Sequence, residues 1–267
     1  MFIYINEKKQ TTSSKTIFEI KDEFKKNADV LILNGFPVKN NIGVKEGDRI
    51  TLIKKGEIPK EEELESLMIS RHTPGVHSKL KEGKVAIAGV GGLGSNVAIS
   101  LARVGVGFLK LIDFDVVEPS NLNRQQYYIK HIGMKKVEAL KGIINNINPF
   151  IKVEIIDRKV EKDNIKELFK DVDIVVEAFD SAEYKAMLAN EILTSFKDKK
   201  IVSGSGMAGF YSNNIIKTKK INNRLYMCGD FINEAKVNEG LMAPRVAIVA
   251  NHEANTVVRL LLNEEEV

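Results

Sequence analysis

A doubly wound, mainly parallel α/β sheet with antiparallel C-terminal additions, preceded by a small sheet holding one helix, is the fold class that three features of the chain predict. From residue 84 onward, short apolar runs alternate with helical patterns, as in successive βα units. Gly89-Val90-Gly91-Gly92-Leu93-Gly94 stands directly after the apolar run 85–88 and directly before the helical stretch 95–104. The first 56 residues follow a different pattern, with alternating strands around a single helix.

Within residues 1–56, a strand is expected over 2–6 and a helix from the capping box Thr16-Ile17-Phe18-Glu19. Strands follow at 30–33, closed by the turn pair Asn34-Gly35, and at 49–53, introduced by Glu46-Gly47-Asp48. Residues 57–83 read as a connection containing a helix over 59–70. Pro59 suits a first helical position, and Glu61, Glu62 and Glu63 suit the positive end of the helix dipole. Residues 84–267 form the second domain, with strands at 85–88, 108–112, 152–156, 173–177 and 200–202. Helices are expected over 95–104, 135–147, 164–169 and 182–196. Segments 211–217 and 224–227 look like antiparallel additions, and 243–262 is a final amphipathic helix.

The 267 residues are 43% hydrophobic, enough for two cores. No apolar run approaches the roughly 18 residues that span a bilayer, and residues 1–6 lack a signal core, so a cytoplasmic protein without a membrane partner is expected. Cys228 is the only cysteine, which excludes an intramolecular disulfide and a multi-cysteine zinc site. The net charge of +4 arises from 40 basic and 36 acidic residues that are interspersed, so composition gives no reason to expect nucleic acid. The four histidines, His72, His77, His131 and His252, lack metal-ligand spacing.

A strand feeding a glycine loop and a helix N-terminus presents backbone amides to phosphate, and an acid about 20 residues on holds a ribose hydroxyl. Asp113 stands at that distance, at the end of run 108–112. Beyond it, Asp113-Phe114-Asp115-Val116-Val117-Glu118-Pro119-Ser120-Asn121-Leu122-Asn123-Arg124-Gln125 packs acids, amides and one arginine into a loop at a strand end. Loops at that edge of an open α/β sheet line the ligand crevice. Each candidate has a plainer role: a tight turn for the glycines, turn formation for Asn121, surface charge for Arg124, and an N-cap for Asp180. Lys135 and Lys136 are separable only by spacing.

The ordered set GxGGLGS (Gly89 to Ser95), Asp113-x-Asp115, SNLNRQ (Ser120 to Gln125), Gly133-Met134-Lys135-Lys136 and Asp180 resembles the enzymes that adenylate ubiquitin-like proteins and their bacterial relatives. Residues 1–56 resemble the ubiquitin-like β-grasp sulfur carriers, which points to the ThiF-type adenylyltransferases of the thiamin carrier and to a Rossmann-like catalytic domain. The resemblance implies binding of ATP through Gly89, Gly91, Gly92, Leu93, Gly94, Ser95, Asp113, Asp115, Asn121, Arg124, Gln125 and Lys136. It further implies catalytic roles for Arg124, Lys136, Asp180 and Arg71, with Mg²⁺ on Asp180. Arg71 would reach the phosphates of a neighbouring subunit in a homodimer. The implied partner is a ThiS-like carrier, whose Gly-Gly tail carries the reactive carboxylate, and the resemblance also allows a sulfur donor protein.

Two departures qualify the match. Lys54-Lys55-Gly56-Glu57-Ile58-Pro59 continues into a helix where a carrier would end, so the leader has no free carboxylate there. Relatives with two CxxC pairs hold zinc, whereas here Met227-Cys228-Gly229-Asp230 and Met242-Ala243-Pro244-Arg245 offer no such set, and no zinc is expected. Some relatives pass the acyl group to a cysteine, a role for which Cys228 is the sole candidate. Gly204-Ser205-Gly206-Met207-Ala208-Gly209 is either a threading segment for a carrier tail or a set of tight turns. A tRNA-modifying adenylating cyclase, a nicotinamide dehydrogenase and a non-catalytic carrier-binding scaffold are the alternatives. SNLNRQ has no use in hydride transfer.

Overall fold

A computed structural model describes residues 1–72 and 74–267, with the side chains of residues 66, 69–72 and 74 outside the described set. The side chains of Arg71 and His72 therefore lie outside the described residues. The chain forms two compact units, Met1–His77 and Ser78–Val267.

In the first unit, β1 (Phe2–Ile5), β2 (Lys8–Thr11), α1 (Ile17–Phe24), β3 (Val30–Leu33), β4 (Phe36–Val38) and β5 (Arg49–Ile53) build a five-stranded sheet of order β2-β1-β5-β3-β4. Strands β1 and β5 are parallel and the other pairs antiparallel. Thr16 and Glu19 make the expected capping box, so α1 starts where the sequence indicates. Ile17 and Ile20 of α1 bury against Ile3, Ile50 and Leu52, side chains worth about 1.5–3 kcal/mol each on full burial. The two strands absent from the sequence expectations, β2 and β4, are the sheet edges. Lys8-Lys9-Gln10-Thr11 has no apolar alternation and β4 contains Pro37, both of which suit an edge and hide a strand signal. Helix α2 (Glu61–His72) then follows, with Glu63 bonded to Asn6 and Glu62 paired to Lys8. Helix α3 (Pro74–Glu82), unforeseen in the sequence, carries the chain across the unit boundary.

The second unit holds β6 (Lys84–Ala88), α4 (Gly92–Arg103), β7 (Phe108–Asp113), α5 (Lys136–Ile147), β8 (Lys152–Asp157), α6 (Ile165–Phe169), β9 (Ile174–Glu177), α7 (Ala182–Ser195), β10 (Lys200–Gly204), β11 (Lys217–Lys220), β12 (Leu225–Gly229) and α8 (Ala243–Leu261). Its seven strands lie in the order β11-β12-β10-β9-β6-β7-β8. Counted from β6 and leaving out β11, this is the doubly wound order 3-2-1-4-5-6. The order reverses between β6 and β9, so the ligand crevice of this fold class falls at the carboxyl ends of those two strands.

The C-terminal end of the sheet corrects one expectation. The sequence pattern predicts segment 224–227 to be antiparallel, but β12 runs parallel to β10, and only β11 is antiparallel. After β10 the chain reverses into β11 and again into β12. The second reversal restores the direction and lets β12 insert between β10 and β11. The first addition is Lys217–Lys220, not 211–217, where residues 213–215 form a 3-10 turn instead.

Candidate functional site

The glycine loop leaves β6 at Gly89, whose φ of +86° favours glycine and whose missing Cβ would lie 2.9 Å from the Ala178 carbonyl oxygen. A Cβ on Gly94 would meet the Gly89 oxygen at 1.9 Å, so this glycine lets helix and strand close together. Gly91 is the N-cap of α4 and no side chain caps the helix. The first amides of a helix twelve residues long thus remain available as donors toward an anion.

Around the loop, the strand-end residues converge. Asp113, last in β7, accepts from Val90 N at 2.8 Å and from Asp115 N at 2.9 Å, which ties β7 to the loop and aims Asp115 outward. Lys136, first in α5, is buried and reaches Asp115 Oδ2 at 2.8 Å. Lys135 instead pairs with Asp157 at the surface.

Residues 119–123 form a 3-10 turn whose Asn121 accepts from Glu118 N, with Pro119 at its start. This turn sets Arg124 and Gln125 against the loop. A Cβ on Gly92 would stand 3.6 Å from Arg124 Cγ, and one on Gly91 3.6 Å from Gln125 Nε2. Gln125 Oε1 is buried without a hydrogen-bond partner among the described residues. Ser95 Oγ donates to Gly91 O at 2.6 Å and accepts from Gln126 N, while Asn96 Nδ2 donates to Gly92 O and Arg124 O. Tyr127 donates to Val90 O at 2.8 Å, and its hydroxyl is pushed up by burial and then by Asp113. Sequence reasoning missed Asn96 and Tyr127; an amide at the head of the apolar run 97–99 was the available signal for the first, and Tyr127 directly follows the pair Gln125-Gln126 at the end of the SNLNRQ motif.

Asp180 is exposed, three residues past β9. The last residue of β9, Glu177, is fully buried and accepts from Phe179 N at 2.7 Å, from Lys185 Nζ at 3.1 and 3.2 Å, and from Ser203 Oγ. The N-cap position of α7 is taken by Ser181, not Asp180, and no side chain caps the helix. Glu253 of α8 is also fully buried, with no hydrogen-bond partner for either oxygen among the described residues. Burial pushes its carboxyl well above the usual range; Lys185 opposes that shift and Glu177 adds to it.

The sequence-nominated residues thus divide by position. Gly91, Gly92, Asp113, Asp115, Arg124, Lys136 and Asp180 surround the carboxyl edge of β6, β7 and β9. Gly89, Leu93, Gly94, Ser95, Asn121 and Gln125 are buried behind that face and shape it. Cys228 is buried between Thr218 and Thr256, and burial pushes its thiol to about 12. Such a thiol is protonated at neutral pH and makes a poor nucleophile. Within 205–242, Asp230 accepts from Ile232 N and Asn233 N and pairs with the buried Arg245 of α8, so an internal ion pair fixes this segment.

These features define a doubly wound α/β unit with a glycine loop at its strand-order reversal, and a ubiquitin-like β unit. Residues 65–267 match the ThiF family and residues 1–56 match the ThiS-like ubiquitin family. The chain belongs to the ThiF family. It is 40% identical over 111 residues to a molybdopterin-synthase adenylyltransferase of Haemophilus influenzae, covering 41% of this chain and 46% of that protein. It is 36% identical over 116 residues to a SAMP-activating enzyme E1 of Haloferax volcanii, covering 43% of each. With an adenylyltransferase and sulfurtransferase MOCS3 of Dictyostelium discoideum the identity is 31% over 190 residues, 68% of this chain and 44% of that one. The chain spans less than half the length of these curated relatives. Among solved structures, E. coli tRNA N6-threonylcarbamoyladenosine dehydratase in complex with AMP shares the fold, with a TM-score of 0.67 at 21% identity, covering 74% of this chain and 93% of that one.

Proposed function

We propose that the protein catalyses ATP-dependent adenylation of the C-terminal carboxylate of a small β-grasp sulfur-carrier protein, with release of pyrophosphate. The observation that carries this is the seating of the SNLNRQ turn directly on an uncapped helix N-terminus, with Arg124 over Gly92 and the buried Lys136 beside Asp115. A carboxylate oxygen of the carrier attacks the α-phosphorus of ATP and the bond to the β-phosphate oxygen breaks. The products are a mixed carboxylic–phosphoric anhydride and pyrophosphate. The attacking carboxylate is already ionised at neutral pH, so no protein base or nucleophile is required. Catalysis then consists of bringing two anions together and stabilising charge on the leaving group.

In this scheme Asp113 holds the ribose, since each of its oxygens accepts one backbone amide and retains acceptor capacity. Helix amides, Arg124 and Lys136 address the phosphates, Arg124 through its planar fork, while the buried Asn121 holds the turn that presents Arg124. Among the described residues no group of three or more His, Cys, Asp or Glu side chains could hold a metal. Magnesium on a nucleotide needs only one or two carboxylates beside phosphate and water, and the exposed Asp180 fits that demand. When bound, Mg²⁺ would neutralise charge on the departing pyrophosphate.

The finer parts of the proposal are a carrier of thiamin biosynthesis, a homodimer and phosphate contact by Arg71 in trans. The ThiS-like match of residues 1–56 supports the first; family resemblance supports the others. The division into 1–56, 57–83 and 84–267 assigns the leader a docking or regulatory role. Its chain continues past Lys54, Glu57 is paired with Lys25 at 3.1 Å, and no free carboxylate exists there. The test is carrier-dependent exchange of labelled pyrophosphate into ATP. Carriers ending in Gly-Gly should support exchange and those lacking the final glycine should not. Equal exchange with both would refute the assignment.

A further inference from the structure

The residue that ties the end of β9 to β10 and α7 beside the crevice is not one of those assigned to the nucleotide. Glu177 is the last residue of β9, at the point where the strand order reverses. Its carboxylate is fully buried yet receives donors from three separate elements: Phe179 N in the turn after β9, Lys185 Nζ in α7 and Ser203 Oγ in β10. A buried carboxylate is costly unless its acceptor capacity is met in this way. The turn it pins runs Ala178-Phe179-Asp180 and lies against the glycine loop, since a Cβ on Gly89 would sit 2.9 Å from Ala178 O and 3.2 Å from Phe179 Cδ1. Lys185 is 23% exposed and stands little more than one helical turn beyond Asp180, so without Glu177 its ammonium would be free to seek another carboxylate.

We propose that Glu177 is a positioning residue: by capping Phe179 N and holding Lys185, it fixes Asp180 beside the glycine loop and leaves the Asp180 carboxylate available to the magnesium–nucleotide complex. This deepens the proposed adenylation and rests on it. Glu177 touches no substrate and acts through the 177–180 turn. Glutamine keeps an acceptor for Phe179 N at the same reach, whereas alanine removes it.

The test compares wild type, Glu177→Gln, Glu177→Ala and the double variant Glu177→Ala/Lys185→Met, which leaves no unpaired lysine. Calorimetric ATP affinity is measured with and without Mg²⁺, together with kcat and KM of pyrophosphate exchange. Glu177→Ala and the double variant should lose about tenfold of the Mg²⁺-dependent gain in affinity and a similar factor in kcat, the size of one charge-assisted hydrogen bond. Metal-free ATP affinity should stay within about twofold, and Glu177→Gln should recover most of the loss. Amide hydrogen exchange at Phe179, read without nucleotide, should show protection in wild type and Glu177→Gln and its loss in Glu177→Ala. An equally protected Phe179 amide in Glu177→Ala overturns the proposal. So does an equal loss of metal-free and Mg²⁺-dependent affinity, which marks a merely structural residue. A wild type without exchange activity but with the expected Phe179 response refutes the assigned function and leaves the turn clamp supported.

Discussion

Lys136 Nζ stands 2.8 Å from Asp115 Oδ2, with the lysine side chain 9% exposed and the aspartate 50% exposed. The pair separates two neighbouring lysines that spacing alone leaves ambiguous. A buried ammonium whose partner faces the crevice is held ready for an incoming anion, because moving from carboxylate to phosphate preserves its compensation. Lys135, 39% exposed and paired with an aspartate 46% exposed, forms an ordinary surface ion pair.

Lys136→Met should therefore weaken ATP binding and slow pyrophosphate exchange by on the order of 10- to 100-fold, as for loss of one hydrogen bond to a charged acceptor. Lys135→Met removes a pair worth about 1 kcal/mol or less and should change either quantity by no more than a few fold. Calorimetry and exchange rates on the two variants decide this. Equal effects would remove Lys136 from the phosphate site.

Two glycines of the same unit should respond oppositely to alanine. Gly94→Ala places a Cβ 1.9 Å from the Gly89 carbonyl oxygen, a rigid backbone atom, so the loop must shift. Overpacking of this kind costs about 1–3 kcal/mol, and ATP affinity should fall with stability. Gly142 lies exposed inside α5, and a Cβ there would have nothing within 4 Å. Gly142→Ala should add up to about 1 kcal/mol and raise Tm by about 2–4 °C while leaving ATP binding unchanged. Thermal melts with and without ATP measure both; a stabilised Gly94→Ala would contradict the observed packing.

The site was legible where the chemistry lies close in sequence. The glycine loop, Asp113 and the SNLNRQ turn each occupy a strand end followed by a turn, and local pattern suffices to place them. Glu177, Lys185, Ser203 and Glu253 were not legible. Glu177 closes the apolar run Ile174-Val175-Val176 as an apparent strand-end charge, and its partners lie 8 and 26 residues away, where only the sheet order brings them together. The direction of β12 was missed for a similar reason. A strand's own residues give its existence, but two successive reversals and the neighbour it chooses are long-range properties. The polar edge β2 and the proline-bearing β4 lacked the apolar alternation that marks a strand, because an edge needs little of it.

Glu253 supplies a pH dependence whose sign follows from its burial. Its carboxyl faces Glu177 of β9, Lys185 of α7 and Cys228 of β12, and burial raises its folded-state pKa well above the ordinary 4.5. Below the ordinary value the group is protonated in both folded and unfolded chains and contributes no slope. Above it, the unfolded chain releases the proton while the folded one retains it, so the unfolded state binds fewer protons and stability falls as pH rises. The loss continues until pH passes the raised folded-state pKa, at a rate of at most about 1.4 kcal/mol per pH unit. Glu253→Gln keeps the neutral shape and removes the titration. Its Tm relative to wild type should be lowest near pH 5 and climb as pH rises from there, as measured by melts at constant ionic strength. A difference that stays flat or shrinks over that range would mean that Glu253 is ionised in the folded protein, with Lys185 shared between two buried carboxylates.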